Sequence, residues 1–132
     1  MRLSRTVIYA IQATVQLGAA EGGEAVPSRQ LVEPGEMPDR FLLQILRNLV
    51  AHGLLFSTRG VVGGYKLARS LDQISLLDII EAIEGPVSFD TSQVKQHQVL
   101  LEEALSEVTA NVRRDLAAFK MSRLVGRSRR GA

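Results

Sequence analysis

Apolar positions recur along this chain in a series of periodic segments divided by Gly and Pro. Leu3, Val7, Ile11, Val15 and Gly18 fall on one stripe at helical spacing, flanked by Ile8 and Leu17, and Ser4 stands where a cap is needed. That predicts a first helix with its stripe in the core. After the loop Glu21-Gly22-Gly23-Glu24 and Val26-Pro27, Ser28 is placed to cap a short helix over Arg29 to Glu33, which Pro34-Gly35 breaks. Pro38 suits the first position of the next helix and Asp39 its first turn. Leu42, Ile45, Leu46, Leu49 and Val50 form the buried stripe of that helix, with His52 in its last turn and Gly53 as the terminating residue.

The period then changes. Leu54 to Ser57 and Tyr65 to Ala68 read as the arms of a β-hairpin, and Gly60, Gly63 and Gly64 supply the backbone freedom for the reversal. A helix resumes near Ile74, with Ser75 and Asp78 spaced as a capping box, Leu76, Ile79, Ile80 and Ile83 facing inward, and Gly85-Pro86 closing it. From Gln93 to about Leu124, the residues Leu101, Leu105, Val108, Val112, Leu116 and Phe119 repeat at spacings of 4, 3, 4, 4 and 3, close to a coiled-coil seam. Such a helix is about 48 Å long. A domain formed by the preceding residues is about 30 Å across, so part of the helix must find another partner, and a second copy of the chain is the simplest.

Helix, turn, helix, hairpin is the order of a winged helix-turn-helix. The expected fold is mainly α with a small β-hairpin wing, followed by a long C-terminal dimerisation helix. Residues 1–85 would form the winged domain, 86–125 the linker and long helix, and 126–132 a disordered basic tail containing Arg127, Arg129 and Arg130. A second helix of this kind fits a DNA major groove. Its polar face offers Arg40, Gln44, Arg47 and Asn48 with Phe41 at the edge, residue types that bond phosphates, read base edges or touch a thymine methyl. Any amphipathic helix has a polar face, and it is the hairpin that favours groove recognition over plain solvation. Arg59 beside the glycines of the wing can enter a narrow minor groove. Arg2 and Arg5 open the first helix, where cations oppose the dipole; an anionic neighbour such as phosphate or simple solvation would accommodate them. Gly64 is followed by strand-like residues, not by Lys-Ser/Thr opening a helix, so the glycines make a poor phosphate loop.

Composition narrows the chemistry. The sequence has 132 residues, 45% hydrophobic and 23% charged, which is ordinary for one small globular domain. It contains no cysteine, which excludes disulfides, thiolate catalysis and cysteine-ligated metal sites. No run of about 18 apolar residues and no signal peptide are present, so no membrane is expected as a partner and a cytoplasmic location is expected. Residues 1–69 hold eight Lys/Arg against five Asp/Glu, and residues 70–126 five against nine. The basic half is the one with the helix-turn-helix pattern, which suits a polyanion partner, although a charge of this size is also common on surfaces that bind nothing. His52 and His97 are far apart, no Ser-His-Asp or HExxH pattern occurs, and neither an enzyme nor a metal site is expected. His97 with Glu102 and Glu103 reads as a solvated stretch of helix.

Leu3-Ser4-Arg5, Tyr9-Ala10, Phe41-Leu42-x-Gln44-Ile45-Leu46, Gly53-Leu54-x-x-Ser57-x-Arg59-Gly60-x-x-Gly63-Gly64-Tyr65-x-Leu67-Ala68-Arg69 and Glu84-Gly85 together resemble the Rrf2 family of bacterial regulators over roughly residues 1–90. The resemblance implies a homodimeric winged-helix transcription factor, with repression as the expected mode, acting on double-stranded DNA at a dyad operator. It places DNA contacts at Ser28, Arg29, Arg40, Phe41 and Gln44, and at Ser57, Arg59, Gly60 and Tyr65 of the wing segment, beside the Arg47 read from the helix face. The dimer interface would be Leu101, Leu105, Val108, Val112, Leu116 and Phe119. Two departures matter. Many members hold an iron-sulfur cluster through three cysteines ahead of the long helix, and this sequence has none, so no cofactor is expected. Val61-Val62 and Leu43 also stand where members often have Pro-Gly and Glu, so the operator sequence does not transfer. Cluster-free members respond through partner proteins; a small-molecule or protein effector for this chain is not identified by the residues. The rival reading is a winged helix used for protein contact alone, without sequence-specific DNA binding.

Overall fold

The Ser4 side chain accepts the Val7 N–H at 3.2 Å and starts α1, Arg5–Ala19. In the computed structural model, which describes residues 3–20, 23–31, 36–59, 63–89 and 98–125, α1 is followed by a 3-10 turn Ser28–Gln30, α2 Asp39–Ala51, β1 Leu55–Thr58, β2 Gly64–Leu67, a 3-10 turn Leu71–Gln73, α3 Leu76–Glu84 and α4 Val99–Ala118. This is the mainly helical, winged architecture the patterning predicts.

The face α1 turns inward differs from the expected stripe. Val7, Tyr9, Ala10, Ala13, Thr14 and Leu17 are buried, while Leu3 and Ile8 are exposed and Ile11 and Val15 only half-buried. The helix has apolar residues on two sides. The side with the small Ala10 and Ala13 lets α1 approach α2, α3 and β2 closely, and close packing decides the rotation. Thr14 is tolerated there because its hydroxyl donates to the Ala10 carbonyl at 2.8 Å. Gly18, expected in the core stripe, is pressed against Leu71, where a Cβ would overlap that side chain.

Ser28 does not cap a helix. Pro27 precedes a single 3-10 turn without a side-chain cap, and the rest of the expected short helix lies largely outside the described residues. Pro38 takes the capping position instead of the first helical one: its extended ψ of 138° lets its carbonyl accept from Phe41 N–H at 3.0 Å, and Asp39 begins α2. Leu42, Ile45, Leu46 and Leu49 are buried as predicted, and His52 closes the helix before Gly53 at φ +76°. The wing strands pair antiparallel, Leu55 with Leu67, Phe56 with Lys66, Ser57 with Tyr65 and Thr58 with Gly64. Tyr65 also bonds Val26 in both directions, at 2.8 and 2.9 Å, which ties the wing to the chain entering the helix-turn-helix. The capping box of α3 is present: Asp78 N–H donates to the Ser75 hydroxyl and Ser75 N–H to the Asp78 carboxylate.

The C-terminal helix ends before its apolar repeat does, and the expected start over residues 93–97 lies outside the described residues. α4 has 20 residues, about 30 Å. Phe119 leaves the helix with ψ 105°; its carbonyl accepts Leu76 N–H at 2.8 Å, and Met121 N–H donates to the Ile74 carbonyl at 2.9 Å. Met121 is fully buried and Phe119 packs on the core of its own chain. Phe119 therefore falls outside the helical seam, although its spacing continues it.

Candidate nucleic-acid interface

At about 100° per residue, Arg40, Phe41, Gln44, Arg47 and Asn48 share roughly a third of the α2 circumference, opposite Leu42, Ile45, Leu46 and Leu49. Burial of the leucine side fixes the rotation of α2 and leaves Arg40, Phe41, Gln44 and Arg47 exposed. The Arg40 guanidinium lies 5.4 Å from the centre of the Phe41 ring, a cation-π contact that restrains both. Gln44 Nε2 donates to Asn48 Oδ1 at 3.1 Å. Among the described residues none of Arg29, Arg40, Arg47 and Arg59 meets a carboxylate. Arg40 and Arg47 thus present cationic, hydrogen-bonding groups that meet no carboxylate among the described residues, a surface suited to an anionic partner.

The structure brings α1 to the same face. Arg5, Thr6 and Tyr9 line a cavity of about 400 Å³ with Glu36, Met37, Pro38, Phe41, Gln44, Ile45, Asn48 and Ile83, so one acidic residue stands among the polar groups of this face. Arg5 thus stands beside the exposed face of α2, with Glu36 lining the same cavity, and an anionic neighbour there would offset its position at the positive end of α1. Thr6 and Met37 were not singled out by sequence; their nearness depends on how α1 crosses α2, which no local spacing reveals. Ser28 is half-buried and Arg29 exposed, both on the 3-10 turn preceding α2.

In the wing, Ser57 and Arg59 are exposed, and Gly60 lies outside the described residues. Thr58, Arg59 and Lys66 line a second cavity of about 390 Å³ with Gly23, Glu24 and Ala25. The Thr58 hydroxyl accepts Gly64 N–H at 3.1 Å and holds the strand ends together below the tip. Tyr65 is half-buried, packed on the core, with its main chain engaged by Val26.

The Rrf2 family profile, described as an iron-dependent transcriptional regulator, matches residues 3–127. The chain belongs to the Rrf2 family. It is 41% identical over 88 residues to a candidate HTH-type transcriptional regulator of Mycobacterium tuberculosis H37Rv, covering 67% of this chain and 55% of that protein. It is 30% identical over 88 residues to the HTH-type transcriptional regulator CymR of Bacillus subtilis, covering 67% and 64%. The chain thus matches less than two thirds of the length of these relatives. Among solved structures, IscR of T. potens superposes with a TM-score of 0.73 at 26% identity over 97% of this chain and 88% of the other. CymR of B. subtilis shares the fold, with a TM-score of 0.76 at 23% identity over 94% and 95%. The Rrf2 relatives are transcriptional regulators and not enzymes.

The iron in the Rrf2 description finds no fitting donor set here. The sequence has no thiolate for an iron-sulfur cluster, and among the described residues no three of His, Asp and Glu converge on a possible metal position. His97 lies outside the described residues. Also among these residues, no helix is long and apolar enough to cross a membrane.

Proposed function

We propose that this Rrf2 chain is a sequence-specific DNA-binding regulator that acts as a homodimer on a two-fold symmetric operator, represses by occupying the promoter, and does so without an iron-sulfur cluster. The observation behind this reading is the exposed Arg40, Phe41, Gln44 and Arg47 face of α2, in which neither arginine meets a carboxylate among the described residues, held outward by four buried aliphatic residues. Gln44 and Arg47 would read base edges in the major groove. Arg5, Thr6, Ser28, Arg29 and Arg40 would contact phosphates, with Phe41 against the sugar or a thymine methyl. Arg59 would follow the minor groove with Ser57 and Gly60 beside it, while Tyr65 holds the wing at the right height through Val26. The winged unit of 1–85, the linker and long helix of 86–125 and the basic tail of 126–132 divide the labour between reading and assembly.

The dimer reading rests on apolar surface that one chain leaves uncovered. α4 has no buried residue; Leu101 and Val108 are 46% and 44% exposed, and Leu105, Val112 and Leu116 are half-buried. At about 100° per residue these five make one stripe. The outer side of α1 adds Ile8, Ile11 and Val15, with Leu3 exposed just ahead of the helix, and Ile11 and Val15 line a groove of about 840 Å³ together with Leu124. A second copy would cover both surfaces, and its α4 stripe is the matching apolar element. Cytoplasmic location follows from the function.

Selection of genomic fragments by the purified protein at near-physiological salt tests this. Enrichment of a symmetric site with half-sites about one helical turn or a multiple apart is expected. Failure to enrich any sequence, with or without cell extract, would instead leave the wing as a protein-docking element.

A further inference from the structure

Because no residue of α4 is fully buried within its own chain, a few discrete contacts with α3 and the chain around it weigh heavily in the direction in which it leaves the reading unit. One is the backbone junction at Phe119 and Met121, which grips the start of α3. The other is a polar knot one helical turn and a half away. Arg113 of α4 forms a two-pronged ion pair with Glu81 of α3, through Nη1 to Oε2 and through Nη2 to Oε1 at 3.4 Å. Glu81 Oε2 also accepts the Val87 N–H at 2.8 Å, and Arg113 Nη1 reaches the Val87 carbonyl at 3.5 Å. Three segments meet at two side chains: α3, the chain leaving it, and the long helix. Glu81 is largely covered, with 24% of its side chain exposed, while Arg113 keeps 39% exposed, and a charged, bidentate pair has a narrow range of allowed angles.

We propose that Glu81 and Arg113 are positioning residues that set the separation of the two recognition helices, and so the half-site spacing the dimer accepts, while touching no DNA. Neither residue lines the cavities of the reading face; both line a separate cavity of about 570 Å³ together with His52, at the C-terminal end of α2. The knot therefore lies between the far end of the recognition helix and the dimerisation helix. From Arg113 to Val99 α4 extends about 21 Å. A change of about 10° at the knot moves that end by about 3.7 Å, which is close to the 3.4 Å rise of one base pair. Loss of a single ion pair can thus shift the register between half-sites by a base pair, or blur it, without altering either reading head.

This inference rests on the dimeric DNA-binding reading, and the test separates the two. Affinity would be measured by fluorescence anisotropy for the site enriched from the genome, for the same site with one base pair deleted or one or two inserted at its centre, and for a single half-site. Wild type, Glu81→Gln, Arg113→Met and the charge exchange Glu81→Arg/Arg113→Glu would be compared as full-length proteins, each with its melting temperature and sedimentation recorded. Glu81→Gln is isosteric and keeps an acceptor for Val87, so it preserves the fold while removing the charge. Expected are a tenfold or larger loss of spacing preference in both single variants, unchanged half-site affinity, and partial return of the preference in the exchange. Folded, dimeric single variants that retain the wild-type spacing preference would overturn the inference. A wild type that binds no site, or binds one as a monomer, would overturn the dimeric reading itself and the inference with it.

Discussion

Gly64→Ala tests how the wing is held. In the folded chain the Gly64 backbone lies against the Val26-Pro27 peptide: an added Cβ would overlap the Val26 carbonyl and come within 2.8 Å of the Pro27 nitrogen. The obstacles are backbone atoms, so no side chain can swing aside to make room. Its φ of +158° is also one that residues with a Cβ rarely adopt. Val26 must therefore retreat, and with it go the two hydrogen bonds to Tyr65 at 2.8 and 2.9 Å. At about 0.5–1.5 kcal/mol net for each bond, the loss comes to about 1–3 kcal/mol. Leu54 and Leu55 remain buried and keep the base of the hairpin in place, so the damage is confined to the junction. Urea denaturation gives the total, and amide hydrogen exchange shows where it falls, since the Val26 and Tyr65 amides should lose protection while those of α3 keep theirs. A stability change below about 0.5 kcal/mol, with both amides as protected as in wild type, would refute the argument.

Other expectations follow from single contacts. Ser75→Ala removes the acceptor of the Asp78 N–H in the α3 capping box and should cost about 1 kcal/mol, measured by thermal denaturation at pH 7. At Glu81 burial raises the carboxyl pKa, but hydrogen bonds from Arg113 and the Val87 amide, with the guanidinium charge, outweigh it and leave the value below its ordinary 4.5. A carboxyl lowered in this way contributes stability above its unfolded pKa and loses it as pH falls through the folded one. The gap between wild type and Glu81→Gln, about 1 kcal/mol at pH 7, should thus close below about pH 4.5, and a gap independent of pH would contradict the assignment. Arg59→Ala should weaken operator binding by about 1–3 kcal/mol and reduce the salt slope by about one; equal affinities would show that the wing does not reach DNA. Val108→Asp places a charge in the α4 stripe and should yield monomers in sedimentation at micromolar concentration without lowering the helix content.

Elements whose determinants are local were legible in the sequence. The α2 stripe, the Ser75 and Asp78 capping box and the glycine-flanked hairpin each depend on residues a few positions apart, and each is found in the structure. What escaped depends on contacts between distant segments. The outer face of α1 holds larger aliphatic residues than the inner one, so hydrophobicity alone favours Ile11 and Val15, while the core takes Ala10 and Ala13 because small side chains permit close helix approach. The end of α4 has no Gly or Pro to mark it. The helix stops because Phe119, Lys120 and Met121 pair with Ile74 to Leu76, more than forty residues earlier in the chain. The Glu81–Arg113 knot is equally silent in sequence, with its two members separated by 32 positions. On the exposed side of α2, helical spacing anticipated that Arg40, Phe41, Gln44 and Arg47 share one face, whereas the approach of Arg5 and Thr6 to it depends on how α1 packs against α2.

In the proposed assembly, two copies of this chain, joined through the α4 stripe and the outer face of α1, read one symmetric DNA site. Sedimentation equilibrium of the wild-type protein at micromolar concentration, alone and with the duplex recovered by genomic selection, measures this most directly. A folded species of twice the chain mass that adds one duplex without changing its protein stoichiometry is expected. A folded monomer that binds one half-site per chain, with no linkage between half-sites, would contradict it.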